Sequence, residues 1–251
     1  MKDSEAATFE RTADLDLEHP TLIEGLPGHG LVASIAVDQI SEQLGLEFYG
    51  TLYDETFPPV LTFEDGMARD PIRVYAAREP SILTLQSDLA VPYPAFRPLA
   101  KGLFRVVDEF ERAIFLAGAP AQAEGERGAV MGVATTSSMQ TELQAAGIEL
   151  ASDPGVIGGV TGALAQACHH EGIPAAVLIV KSHPYLPDPG AAQQLIDSAL
   201  EPLVDFDVDT AELEQQAGAI QERMQQIAEQ YERLVESDRP YPDSGMPGMY
   251  Q

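Results

Sequence analysis

The run Ala175-Ala176-Val177-Leu178-Ile179-Val180 carries no polar residue at any position. A strand alternates its side chains between two faces, so a strand of this composition has to be covered above and below. Further strand-like runs occupy residues 21–26, 47–53, 72–77, 82–86, 113–117 and 129–134. Among and after them, residues 31–44, 95–111, 139–146, 159–171 and 191–204 bring apolar side chains back at helical spacing. Strands alternating with helices predict an α/β domain whose sheet is covered on both faces. A chain of 251 residues is long enough for one such domain with a sizeable core.

Forty Asp and Glu against fourteen Lys and Arg leave a formal charge of −26. Phosphates and anionic headgroups repel such a polyanion, because binding to them relies on Lys and Arg displacing counterions. No nucleic acid and no membrane is expected as a partner; protein is. The carboxylates are spread along the chain, and the only lysines are Lys2, Lys101 and Lys181. That pattern fits solvation in a salt-rich cytoplasm, where screening removes self-repulsion, and predicts a halophilic, cytoplasmic protein. With Cys168 as the one cysteine, no intrachain disulfide can form. The first twenty residues are charged throughout and do not resemble a signal peptide. The longest uncharged stretch, residues 154–170, falls short of the ~20 apolar residues a bilayer span needs.

Several short motifs admit two chemistries. Gly28, His29 and Gly30 form a turn between the first strand and the first helix, and Gly28, Gly30 and Ala33 formally match a dinucleotide fingerprint. A phosphate would sit there on the free N–H groups and positive end of the helix. Glu47 and Asp54, the candidates for holding a ribose, are off register, and no G-x-x-x-x-G-K-[ST] occurs. The alternative is that the glycines serve only a sharp strand-to-helix turn. Cys168-His169-His170 is no metal site: neighbours on a helix point about 100° apart, and no second ligand group lies at suitable spacing. Cys168 is expected in the core and the two histidines at a helix end, where the macrodipole favours them. Residues 135–138 offer hydroxyls that would cap the helix after them. His183 and Asp188 follow a buried strand and form either an acid/base pair or, for Asp188 before Pro189, a helix N-cap. No catalytic residue, metal or cofactor is assigned.

Beyond residue 209 the composition changes. Leu213, Ala217, Ile220, Met224, Ile227, Tyr231 and Leu234 recur at alternating spacings of four and three, a heptad seam. Residues 209–237 are therefore expected to form a coiled-coil-like helix joining copies of the chain into a homo-oligomer. An amphipathic helix lying on its own domain is the alternative. Residues 238–251 contain three prolines and two glycines and are expected to form a flexible tail.

Three blocks in order carry a family resemblance: Gly25-Leu26-Pro27-Gly28-His29-Gly30-Leu31-Val32, then Gly155-Val156-Ile157-Gly158-Gly159-Val160-Thr161-Gly162-Ala163-Leu164, then Pro187-Asp188-Pro189-Gly190-Ala191-Ala192. The chain resembles archaeal members of the family named for proteasome assembly chaperone 2, over roughly residues 17–204. The resemblance implies a three-layer, phosphorylase/hydrolase-like α/β fold without established chemistry, and a non-enzymatic role in assisting or binding the proteasome. Ala33 departs from the glycine many relatives place there. The implied division is a flexible N-terminus at 1–16, the α/β domain at 17–208, the oligomerisation helix at 209–237 and the tail at 238–251. Met249-Tyr250-Gln251 in turn resembles the hydrophobic-Tyr-X ending of proteasome activators and assembly factors. That ending implies insertion between α subunits of the proteasome core particle: a terminal carboxylate on a lysine, Tyr250 supplying a ring and a hydroxyl, Met249 filling an apolar groove. The competing expectation is a nucleotide- or nucleoside-binding enzyme using residues 27–30.

Overall fold

The structure, a computed structural model, describes residues 6–106 and 110–216. Its strands are β1 (Thr8–Arg11), β2 (Thr21–Gly25), β3 (Glu47–Tyr53), β4 (Thr62–Glu64), β5 (Met67–Arg69), β6 (Ile72–Ala77), β7 (Ile82–Ser87), β8 (Arg112–Pro120), β9 (Val130–Ala134) and β10 (Ala175–Ser182). The helices are α1 (Val32–Gln43), α2 (Phe96–Val106), α3 (Ser137–Ala145), α4 (Gly159–Glu171), α5 (Pro189–Leu195) and α6 (Glu201–Val204). Eight strands make one sheet in the order β1-β3-β6-β7-β2-β8-β10-β9, and β4 with β5 makes a separate ribbon. At its centre β7, β2, β8 and β10 run parallel. The flanking strands β1, β6 and β9 run against their neighbours.

The apolar runs occupy that parallel centre for the reason their composition required. Ile23, Ile114 and Leu178 point to one face of the sheet, where they pack with residues of α1, α3, α5 and α6. Leu22, Phe115 and Val177 point to the other, against α2 and α4. Successive residues of one strand thus enter two different cores. Thr136 accepts a hydrogen bond from the Met139 amide at 3.2 Å and caps α3, and Asp188 caps α5 by accepting from the Ala191 amide at 3.1 Å. The helix expected over 191–204 is continuous from α5 to α6, but Ile196–Leu200 forms a π-type turn between them.

Two elements had no counterpart in the sequence pattern. Residues 8–11 lie in the stretch expected to be a flexible N-terminus, yet they pair with β3, from Thr8 opposite Tyr53 to Arg11 opposite Gly50. Gly50 matters there, since a β-carbon on it would lie 2.5 Å from the Glu10 carbonyl oxygen. The β4–β5 ribbon turns at Asp65 and Gly66, both with positive φ, which suits a tight hairpin.

Cys168 is fully buried in the core shared by α2 and α4, and burial pushes its thiol up to about 12. Reactivity requires thiolate. Iodoacetamide at pH 8 should therefore leave the folded protein unmodified and alkylate it in urea, as read by mass spectrometry; alkylation of the folded protein would contradict this burial.

Candidate functional site

Because β2, β7, β8 and β10 are parallel, their carboxyl ends share one edge and the segments following them meet there. Edges of this kind are where α/β proteins place their ligands. After β2 the chain makes a single 3-10 turn, His29–Leu31, and enters α1. The Gly30 carbonyl accepts from the Asp188 amide at 2.9 Å, tying this turn to the segment after β10. Gly30 has φ +65, and a β-carbon on it would fall 2.6 Å from the Ser182 hydroxyl. The His29 carbonyl oxygen lies where a β-carbon on Gly118 would be, at 2.1 Å. Close packing against β8 and β10 thus accounts for glycine at 30 and 118 without a ligand.

Asp188 holds this corner together. Its carboxylate is buried and accepts from Arg127 Nη2 at 2.8 Å, Arg127 Nε at 3.1 Å and the His183 amide at 2.7 Å, besides its cap to Ala191. Burial alone would push the carboxyl up, but the Arg127 guanidinium and the two amides outweigh it and hold the group below the usual carboxylate range. His183 and Asp188 therefore meet, though not as an acid/base pair. Asp188 bonds the His183 backbone, while the His183 ring receives the Tyr185 amide on Nδ1 at 3.2 Å.

Glu24 lies one strand deeper, with no exposed surface at all. Its Oε1 accepts from the Leu26 amide at 3.0 Å, and its Oε2 accepts from the Leu116 amide at 3.3 Å and the Thr161 hydroxyl at 3.4 Å. Burial raises its pKa from 4.5 to about 8, against the lowering effect of those three bonds. A carboxyl that stays protonated near neutral pH can serve as a general acid where substrate reaches it. Here it is enclosed, and its bonds tie β2, β8 and the first turn of α4 to one another.

Neither Glu24 nor Arg127 sits in a motif. The available signal for Glu24 was a lone carboxylate inside an apolar strand; Arg127, in a loop far along the chain from Asp188, offered none. Of the heptad seam, Leu213 alone falls within the described residues, and it is 2% exposed, packed into the core that contains α1 and α5. Ala217, Ile220, Met224, Ile227, Tyr231 and Leu234 lie outside the described residues, as do Met249, Tyr250 and Gln251. Among the described residues no group of three or more His, Cys, Asp and Glu is placed to hold a metal ion, and no helix is long and apolar enough to cross a membrane.

These features define an α/β protein built on a mixed eight-stranded sheet, with a tightly bonded carboxyl edge. The chain belongs to the PAC2 family, whose sequence profile matches residues 22–228. An uncharacterized protein of Methanocaldococcus jannaschii is 29% identical over 231 residues, covering 92% of this chain and 94% of the relative. Two solved structures from Pyrococcus furiosus share the fold. PbaA, described as an archaeal homolog of proteasome-assembly chaperone, superposes with a TM-score of 0.77 at 24% identity, covering 92% of this chain and 95% of its own. PbaB, described as an archaeal proteasome activator, has a TM-score of 0.77 at 21% identity, covering 89% and 99%.

The Glu24 carboxyl makes stability depend on pH. A group whose pKa rises on folding binds its proton more tightly in the folded state, so stability falls as pH climbs from 4.5 to about 8. Replacing Glu24 by Gln removes this contribution. Between pH 5 and 9 the unfolding free energy of E24Q relative to wild type should shift in favour of the variant by about 3–5 kcal/mol, measured by urea denaturation at constant salt. Parallel pH profiles for the two proteins would disprove the assignment.

Proposed function

We propose that this protein is a non-enzymatic, proteasome-associated chaperone or adaptor. Its membership of the PAC2 family carries the proposal, supported by the shared fold of PbaA and PbaB. In this scheme the phosphorylase-like three-layer body is a scaffold and residues 209–237 assemble copies of the chain. Met249-Tyr250-Gln251 docks between α subunits of the proteasome core particle. A tyrosine next to the chain end suits such a pocket, since its ring contributes apolar area while its hydroxyl finds a partner. Several tails on one oligomer would act together and gain avidity if their spacing matches the pockets.

Binding to purified proteasome core tests this, in molar salt so that self-repulsion of the −26 charge is screened. Removal of residues 249–251 and Tyr250→Ala should each weaken binding at least about tenfold relative to the full chain. Equal binding by all three proteins would refute docking through the tail.

A nucleotide or nucleoside held at Gly28, His29 and Gly30 is the alternative, and one observation favours it: His29 Nε2 and Ser182 Oγ, both at that turn, are buried without a hydrogen-bond partner. Bound ligand stabilises a folded protein by mass action. A thermal-shift series with nucleotides and nucleosides should raise the melting temperature if the turn is a ligand site, and no rise with any of them removes this alternative.

A further inference from the structure

The β4–β5 ribbon carries large apolar side chains in water. Its strands pair Thr62 with Arg69, Phe63 with Ala68 and Glu64 with Met67. Side chains alternate across a strand, so Thr62, Glu64, Met67 and Arg69 share one side of the ribbon, and Leu61, Phe63 and Ala68 share the other. The first side is tied to the body through Arg69, while Glu64 and Met67 on it are exposed. Arg69 is ion-paired with Glu64 and, at 3.2 Å, with Asp88, which lies just past β7. Asp88 also receives two bonds from the buried Arg73, at 2.5 and 2.9 Å. The second side is apolar and in water: Leu61 is 75% exposed and Phe63 74%. Met67, at 74%, and Val60, at 46%, extend the apolar surface around it. Exposed apolar side chains gathered on one hairpin, rather than scattered singly, mark an interaction surface.

A second copy of the chain is a poor cover for this surface. Exposed carboxylates adjoin it in the chain at Glu64, Asp65 and Asp70, whereas the nearby guanidiniums of Arg69 and Arg73 are engaged by Glu64 and Asp88. In a two-fold contact the same patch meets itself, which would set these carboxylates against one another. Charge complementarity instead calls for a cationic surround. We infer that the exposed apolar side chains of the β4–β5 ribbon and its approach, Leu61, Phe63 and Met67, form a docking surface for a partner protein presenting apolar side chains ringed by Lys or Arg. The surface belongs to the folded body, so it is separate from residues 249–251 and does not depend on their docking.

A short synthetic peptide of alternating Val and Lys serves as the probe, with Ser/Lys and Val/Glu peptides of equal length as controls. Titrated into the full chain, the Val/Lys peptide should bind and shift the NMR signal of the Met67 methyl group. The Ser/Lys peptide should bind at least about tenfold more weakly, and Val/Glu weaker still. The double variant L61S/F63S, which leaves the net charge unchanged, should lose about tenfold in Val/Lys affinity. A chain lacking residues 249–251 should bind like wild type, which separates this surface from the tail. The inference is overturned if L61S/F63S binds equally, if Val/Lys does not bind or leaves Met67 unshifted, or if Val/Glu binds as well. It is also overturned if L61S/F63S sediments as a smaller oligomer than wild type, for the ribbon would then be a contact between copies. Should L61S/F63S fail to fold, the Met67 shift in the wild-type chain decides.

Discussion

Burial of β2, β8 and β10 on both faces is the constraint from which the rest of the architecture follows. A strand with no solvent face requires helices above and below. Of those helices, α2 carries the chain from β7 back to begin β8 in the same direction, whereas α3 and α4 lie between β9 and β10, which run antiparallel. The carboxyl ends of the parallel strands converge on one edge, together with the turn after β2 and the segment after β10. Along that edge the backbone approaches itself closely enough that Gly30 and Gly118 have no room for a side chain.

Polar groups enclosed by this packing set its register. Asp188 is met by a guanidinium and two amides, so the segment after β10 is held to the loop carrying Arg127 and to the start of α5. Glu24 plays the corresponding part between β2, β8 and α4, with the difference that no cation faces it and burial favours its neutral form. A carboxyl with a guanidinium beside it stays charged when buried, whereas one with only amide and hydroxyl donors is pushed toward its protonated state. Of two buried carboxyls near one edge, Asp188 is thus held ionised while Glu24 favours its protonated form at neutral pH.

The net charge bears on partners in a graded way. Across the whole chain, a formal charge of −26 disfavours contact with phosphates and acidic membranes. On the ribbon the same excess of carboxylate becomes local, because the available arginines are already held by Glu64 and Asp88. An apolar surface beside exposed carboxylates selects among protein partners by sign as well as by shape.

The strands of the parallel centre, the helices between them, the caps at Thr136 and Asp188 and the buried thiol of Cys168 could all be read from the sequence, because each depends on residues close together in the chain. β1 could not: Thr-Phe-Glu-Arg has no strand-like alternation of burial, and it is ordered by the open edge of β3. The ribbon left only a weak trace in Asp65-Gly66, and its tie to the body depends on Asp88, beyond β7, which pairs with Arg69. His183 and Asp188 were correctly placed together, but Arg127, 61 residues away, takes the carboxylate that an acid/base pair would need. Local periodicity and turn chemistry therefore determined the α/β class and most of its elements. Tertiary structure alone decided the pairing of charges, the preference of Glu24 for its protonated form and the exposure of the ribbon's apolar side chains, since each depends on distances and burial between segments far apart in the chain.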